Sequence, residues 1–252
     1  FSLGSPCLTP YRAISHTKEN NSAQAMTTTY ALIGKGNFME PSKDELLEDK
    51  KKDSLRLALV DLVSMTKPTI SLLVVITAIP AIIMASNTFP SPKVVVAILL
   101  GSALCSASAA VFNQLFEPNI DRKMKRTKRR SIPSGRISLL GGVIWGVFLG
   151  SLGFFLLYRW ATPLAAYVAL AGHIFYCIIY TLILKPWTVQ NIVIGGAAGA
   201  VGPLIGWAGV TGTLGWPAWV LFLVITLWTP PHFWSLAIHY KEDYRTAGVP
   251  MY

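Results

Sequence analysis

Acidic residues are almost missing from most of this chain. Beyond Asp61 only Glu117, Asp121, Glu242 and Asp243 remain, and no acid lies between Asp121 and Glu242. Charged residues of both signs make up 13% of the 252 residues, where a soluble domain carries about 25%. That deficit points to lipid and away from a soluble globular class. Cysteine is scarce as well. Cys7, Cys105 and Cys177 stand far apart, two of them in apolar runs, which suggests neither a zinc site nor a disulfide framework. No nucleophile with triad spacing is visible. The glycines Gly195, Gly196, Gly199, Gly202 and Gly206 follow no strand, so they read as helix-packing contacts and not as a dinucleotide loop.

Apolar residues are what the chain has in quantity, at 52%. After Lys67 they form six runs, near 68–86, 93–116, 138–158, 162–184, 189–210 and 216–238. Each has roughly the 20 residues needed to cross about 30 Å of hydrocarbon. Lipid offers no partner to an open sheet edge, so the runs must be helices. The fold class is therefore all-α, a polytopic transmembrane helical bundle of about six spans over residues 61–252. Residues 1–60 differ. They are polar, Ser/Thr-rich near the start, and carry mixed charge from Asp44 to Asp53. They read as a flexible N-terminal extension with a short helix near Lys43–Leu59. The chain opens on Phe1, which reads as a fragment or a processed form.

The cations, which set a net charge of +10, are distributed unevenly. If the N-terminal extension lies on face A, the loops after spans two, four and six lie there too. Those loops hold Arg122, Lys123, Lys125, Arg126, Lys128, Arg129, Arg130, Arg136, Lys185, Lys241 and Arg245, whereas face B has only Lys93 and Arg159. This is the positive-inside pattern, and it makes face A the cytoplasmic or matrix side. Basic residues at a membrane face also account for the net charge without nucleic acid.

The four remaining acids all sit on face A, two after span two and two after span six. Asn113, Glu117 and Asp121 are spaced by four. On an α-helix each step of four drifts only about 40°, so the three form one polar stripe. Oxygen ligands on a stripe suit Mg²⁺, which binds through one or two carboxylates plus substrate phosphates. Pro118 disfavours helix at Glu117 and predicts a kink or break there. Arg126 and Arg130, four apart after Asp121, present guanidinium forks suited to phosphate. Such a constellation suits ionisation of an allylic diphosphate, with the leaving charge held by cations in a dry cavity.

The run from Asn113 to Asp121, followed by Lys123, Met124, Arg126 and Thr127, resembles the first signature of the UbiA superfamily of intramembrane prenyltransferases. The stretch from Thr229 through Pro230, Pro231, His232, Phe233 and Trp234 to Lys241, Glu242, Asp243 and Tyr244 resembles its second region. The likeness covers roughly residues 60–252 and is nearest to the haem-farnesylating branch, the protoheme IX farnesyltransferases. It implies a UbiA-like fold, with farnesyl diphosphate and haem B as substrates in the lipid bilayer and haem O and diphosphate as products. It implies Mg²⁺ held by Asn113, Glu117, Asp121 and Asp243, and phosphate contacts from Arg126, Arg130 and Lys241. Three departures stand out. Glu117 stands where Asp is common, His239 stands at the earlier position of a D-x3-D motif, and family members usually carry further helices beyond this end.

His232 and His239 are candidate haem contacts, through the iron or the propionates. His173, inside span four, reads mainly as a partner to a neighbouring helix. Other UbiA-type aromatic prenyltransferases, a non-catalytic haem-binding protein and a transporter are the alternatives. The long polar extension predicts the mitochondrial inner membrane, with the motifs on the matrix side. A bacterial inner membrane, motifs facing the cytoplasm, is the alternative.

Overall fold

The computed structural model describes residues 56–248 and 250 apart from Asn87 and Phe89, and for Leu236 and Asp243 the backbone alone. Most of the expected N-terminal extension lies outside the described residues, as does most of its expected helix. Residues 56–65 are helical. Six helices long and apolar enough to cross a membrane follow: Pro68–Ala85, Pro92–Phe116, Leu139–Trp160, Pro163–Trp187, Asn191–Thr211 and Trp216–His239. The sequence marks their starts. Pro68, Pro92 and Pro163 open the first, second and fourth spans, where a missing N–H costs nothing. Ser138 and Thr162 cap the third and fourth by accepting from the N–H groups of Gly141 (3.0 Å) and Ala165 (3.2 Å).

Three spans depart from a plain α-helix. The second ends at Phe116. Glu117 leaves helical geometry, and Pro118 begins a separate short helix, Pro118–Lys123, which is the break that the proline predicts. The fourth is α-helical over Pro163–Ile174 and becomes a π-helix over Phe175–Leu184. There the Thr181 hydroxyl donates to the carbonyl of Tyr176, five residues back, at 2.8 Å. The fifth is divided into Asn191–Gly199 and Gly202–Thr211, with Pro203 at the restart. The sixth, in contrast, runs unbroken through Pro230 and Pro231, as neighbouring groups allow for proline in lipid.

Small residues decide how the spans approach. On the third span, a side chain added at Gly153 would put its Cβ 2.8 Å from the Gly101 carbonyl of the second. Close by, the Ser108 hydroxyl donates across the same seam to the Gly146 carbonyl at 2.7 Å. On the fifth span, a Cβ at Gly206 would stand 2.6 Å from the Ala78 carbonyl of the first. Such contacts replace the hydrophobic drive that lipid removes. Gly202 meets the first span in the same way, Gly196 meets Thr229 of the sixth, and Gly195 makes room for the Tyr180 ring, whereas Gly199 faces open space.

The core has two apolar layers. One, toward face B, joins Ile82, Ile98, Leu157 and Ile205. The other, toward face A, joins Met65, Val111, Ile132 and Leu149. The helical stretch 56–65 is tied to this second layer. Gln114 and Trp145 donate to the Met65 and Leu62 carbonyls at 2.9 and 3.2 Å. Asp61 accepts from Ser131 at 2.9 Å and from the Arg136 guanidinium at 2.8 and 2.9 Å. The hydrogen-bonded Arg136 holds the Asp61 carboxyl below its usual range. These bonds fix the cationic loop beneath the second span, and that loop carries one wall of the site.

Candidate active site

Asn113, Glu117 and Asp121 are each at most 3% exposed. Burial of two carboxylates is costly unless they are paired; a cation meets each of them, and a third, Lys67, meets Asn113. Lys185, at the face A end of the fourth span, donates to Glu117 Oε2 at 2.5 Å. Asn113 Nδ2 donates to the same oxygen at 3.0 Å and lies 3.4 Å from Thr181 Oγ1. Lys67 Nζ donates to Asn113 Oδ1 at 2.8 Å. One nitrogen of Arg130 reaches both Asp121 oxygens at 2.8 Å, and the Thr127 hydroxyl donates to the Asp121 carbonyl at 3.0 Å. Three cations thus enclose two carboxylates.

Lys67 reaches the cluster from a strained backbone. It stands just before Pro68 with φ 48 and ψ 65, and among the described residues no other non-glycine residue has positive φ. That left-handed conformation costs about 1–3 kcal/mol. Burial, with the nearby Arg130 and Lys185, pushes the ammonium down to about 7.

Glu117 Oε1 is buried and has no hydrogen-bond partner. An orphaned carboxylate oxygen beside a second carboxylate fits a hard divalent cation. Among the described residues no group of three His, Cys, Asp or Glu converges.

The segments carrying the two acidic regions pack together. The helix Lys241–Ala247 places Tyr244 and Ala247 against Ile120 and Met124, and the Arg126 guanidinium lies 5.3 Å over the Tyr240 ring. Asp243, described by its backbone alone, belongs to that helix, which Lys241 opens. Glu242 turns outward and pairs with Arg245 at the surface. His232 and His239 are exposed on the sixth span and do not join the cluster. His232 stacks on Trp228 with centroids 4.5 Å apart, and His239 meets Tyr240 edge-on. His173 Nδ1 lies 3.4 Å from the Cys105 carbonyl on the neighbouring second span.

Sequence reading missed Lys67, Lys185 and Thr181 as site residues, and among the aromatics that could shield an allylic cation it did not single out Tyr176 and Tyr180. The two tyrosines stack at 5.4 Å and lie within electrostatic reach of Glu117. A signal for the lysines existed. Each stands alone at the face A end of a span, level with Glu117.

Residues 74–252 match the model of the UbiA prenyltransferase family. The chain belongs to that family. Among curated UbiA relatives, the protoheme IX farnesyltransferase of Gloeobacter violaceus is 50% identical over 197 residues, covering 78% of this chain and 65% of its own. Protoheme IX farnesyltransferase 1 of Saccharopolyspora erythraea is 46% identical over 188 residues, covering 75% and 60%. The chain therefore spans somewhat under two thirds of the length of these relatives. A UbiA homologue from Archaeoglobus fulgidus, bound to GPP and Mg²⁺, superposes with a TM-score of 0.65 at 15% identity, over 75% of this chain and 67% of that one. A digeranylgeranylglyceryl phosphate synthase superposes at 0.63 with 20% identity, over 76% and 66%. Both establish the fold, all-α and UbiA-like with six spans.

The mitochondrial expectation is overturned. The relatives at this identity are bacterial, and they favour a bacterial inner membrane with face A toward the cytoplasm. A polar, Ser/Thr-rich N-terminal composition is too general to have specified an organelle.

Proposed function

We propose that this UbiA member transfers the farnesyl group of farnesyl diphosphate to a vinyl group of haem B, giving haem O and diphosphate in the biogenesis of haem A and cytochrome oxidase. Relatives named protoheme IX farnesyltransferase, up to 50% identical, support the substrates. The observation that carries the chemistry is the buried Asn113, Glu117 and Asp121 stripe, enclosed by Lys67, Lys185 and Arg130.

Glu117, Asp121, Asn113 and Asp243 would hold Mg²⁺, which supplies Lewis-acid charge for the diphosphate. Lys67, Lys185 and Arg130, with Arg126 and Lys241 nearer the surface, bind the remaining phosphate oxygens and stabilise charge as the C–O bond breaks. The stacked Tyr176 and Tyr180 present π-faces beside the site that shield the allylic cation. The terminal vinyl carbon of haem then bonds to the farnesyl carbon as diphosphate departs, and water adds to the other vinyl carbon as the hydroxyl, releasing one proton to solvent. His232 and His239, on the exposed side of the sixth span, meet haem arriving from the bilayer and orient its iron or propionates.

Membranes containing the chain, given haem B, farnesyl diphosphate and Mg²⁺, are expected to yield haem O by mass spectrometry. Haem B recovered unchanged, with no diphosphate released, would overturn the reading. Lys67 adds a pH signature. It is charged below about pH 7 and neutral above, and an anion binds the charged form. Affinity for inorganic diphosphate with Mg²⁺ should therefore weaken as pH rises through 7, by at most about tenfold per unit. Lys67→Arg stays charged, so the difference between wild type and this variant, measured at pH 6 and 8 by calorimetry, isolates the effect from titration of the ligand.

A further inference from the structure

On face B the second span begins and the third ends, and the two form a groove of about 370 Å³. Val96, Leu100, Leu156 and Trp160 line it with almost wholly apolar surface, and Lys93 stands at its rim. The Lys93 ammonium lies 5.4 Å over the Trp160 ring, which holds it at the mouth of the groove. Arg159 adjoins Trp160 and is exposed. These are the two cations of face B, and every acid whose side chain is described, Asp61, Glu117, Asp121 and Glu242, belongs to face A. Lys93 and Arg159 form no ion pair with them. Among the described side chains neither finds a counter-charge, and both stand at the depth where phospholipid headgroups lie.

We propose that this groove is a binding site for a phospholipid of net-negative headgroup from the face B leaflet, its acyl chain along Val96, Leu100 and Leu156 and its phosphate between Lys93 and Arg159. A lysine that merely reached for water would have no preference among lipids. A cation fixed over a ring beside an acyl-sized groove selects a charged headgroup.

The test uses the full chain in vesicles of phosphatidylcholine, doped with phosphatidylglycerol or phosphatidylcholine brominated on the acyl chain. Bromine quenches nearby tryptophan, and subtracting Trp160→Phe isolates the Trp160 signal. The brominated anionic lipid is expected to quench that signal at a several-fold lower mole fraction than the zwitterionic one. Lys93→Gln should reduce the preference about fivefold, the effect of one cation near an anionic headgroup. Val96→Phe, which fills the groove from an exposed position, should weaken quenching by both lipids. Equal quenching by the two lipids overturns the site, as does a preference unchanged by Lys93→Gln. If Trp160→Phe does not fold, counting retained phosphatidylglycerol adducts on wild type and Lys93→Gln by native mass spectrometry decides the same question.

Discussion

Asp121→Ala is expected to lower prenyl transfer at least about 100-fold, the scale on which preorganised electrostatic groups act, while the chain stays in the membrane. The side chain serves two partners. It is one of two described carboxylates able to meet a divalent cation, and it holds Arg130 through both oxygens. Its removal takes away a proposed metal ligand and leaves a half-buried guanidinium without its acid. Asp121→Asn separates the two effects, because the amide keeps the shape and loses the charge. Turnover of haem B with farnesyl diphosphate at saturating Mg²⁺, compared across the three proteins, reads the outcome. Wild-type rates in the alanine variant would remove the acidic stripe from the chemistry altogether.

Lys185→Met should produce the largest loss of stability, about 3–5 kcal/mol, because it strands a buried carboxylate. The Glu117 side chain is 3% exposed and that of Lys185 16%, so solvent screens this pair little. The double variant Glu117→Gln, Lys185→Met removes both charges and should recover most of the loss. Thermal unfolding in one detergent across the four proteins of this cycle gives the coupling between the pair. A single variant as stable as wild type would mean that water or another cation already satisfies Glu117.

Most of the architecture was legible in the chain itself, because lipid imposes few solutions. Length and hydropathy place each span within about three residues of its observed ends, and Pro118 marks the end of the second. The face A stripe was legible for a similar reason. Carboxylates are so rare here that Glu117 and Asp121 stand out. Their cationic partners did not stand out, since Lys67 and Lys185 look like ordinary interfacial anchors until the helices are assembled. The π-helix over Phe175–Leu184 left no mark either. Its residues are as apolar as those of a regular span, and only the third dimension shows that Thr181 comes to Asn113 and Lys185 to Glu117. The prolines at 230 and 231 mislead in the other direction, since they suggest distortion in a helix that continues.

The depth of the acid–cation cluster has a consequence for traffic. It lies where the spans meet the polar face, so in the proposed reaction the released anion departs directly into water. The hydrocarbon tail and the enlarged porphyrin remain dissolved in the bilayer. Products are sorted by phase at the moment they form, and the back reaction loses its water-soluble partner to dilution.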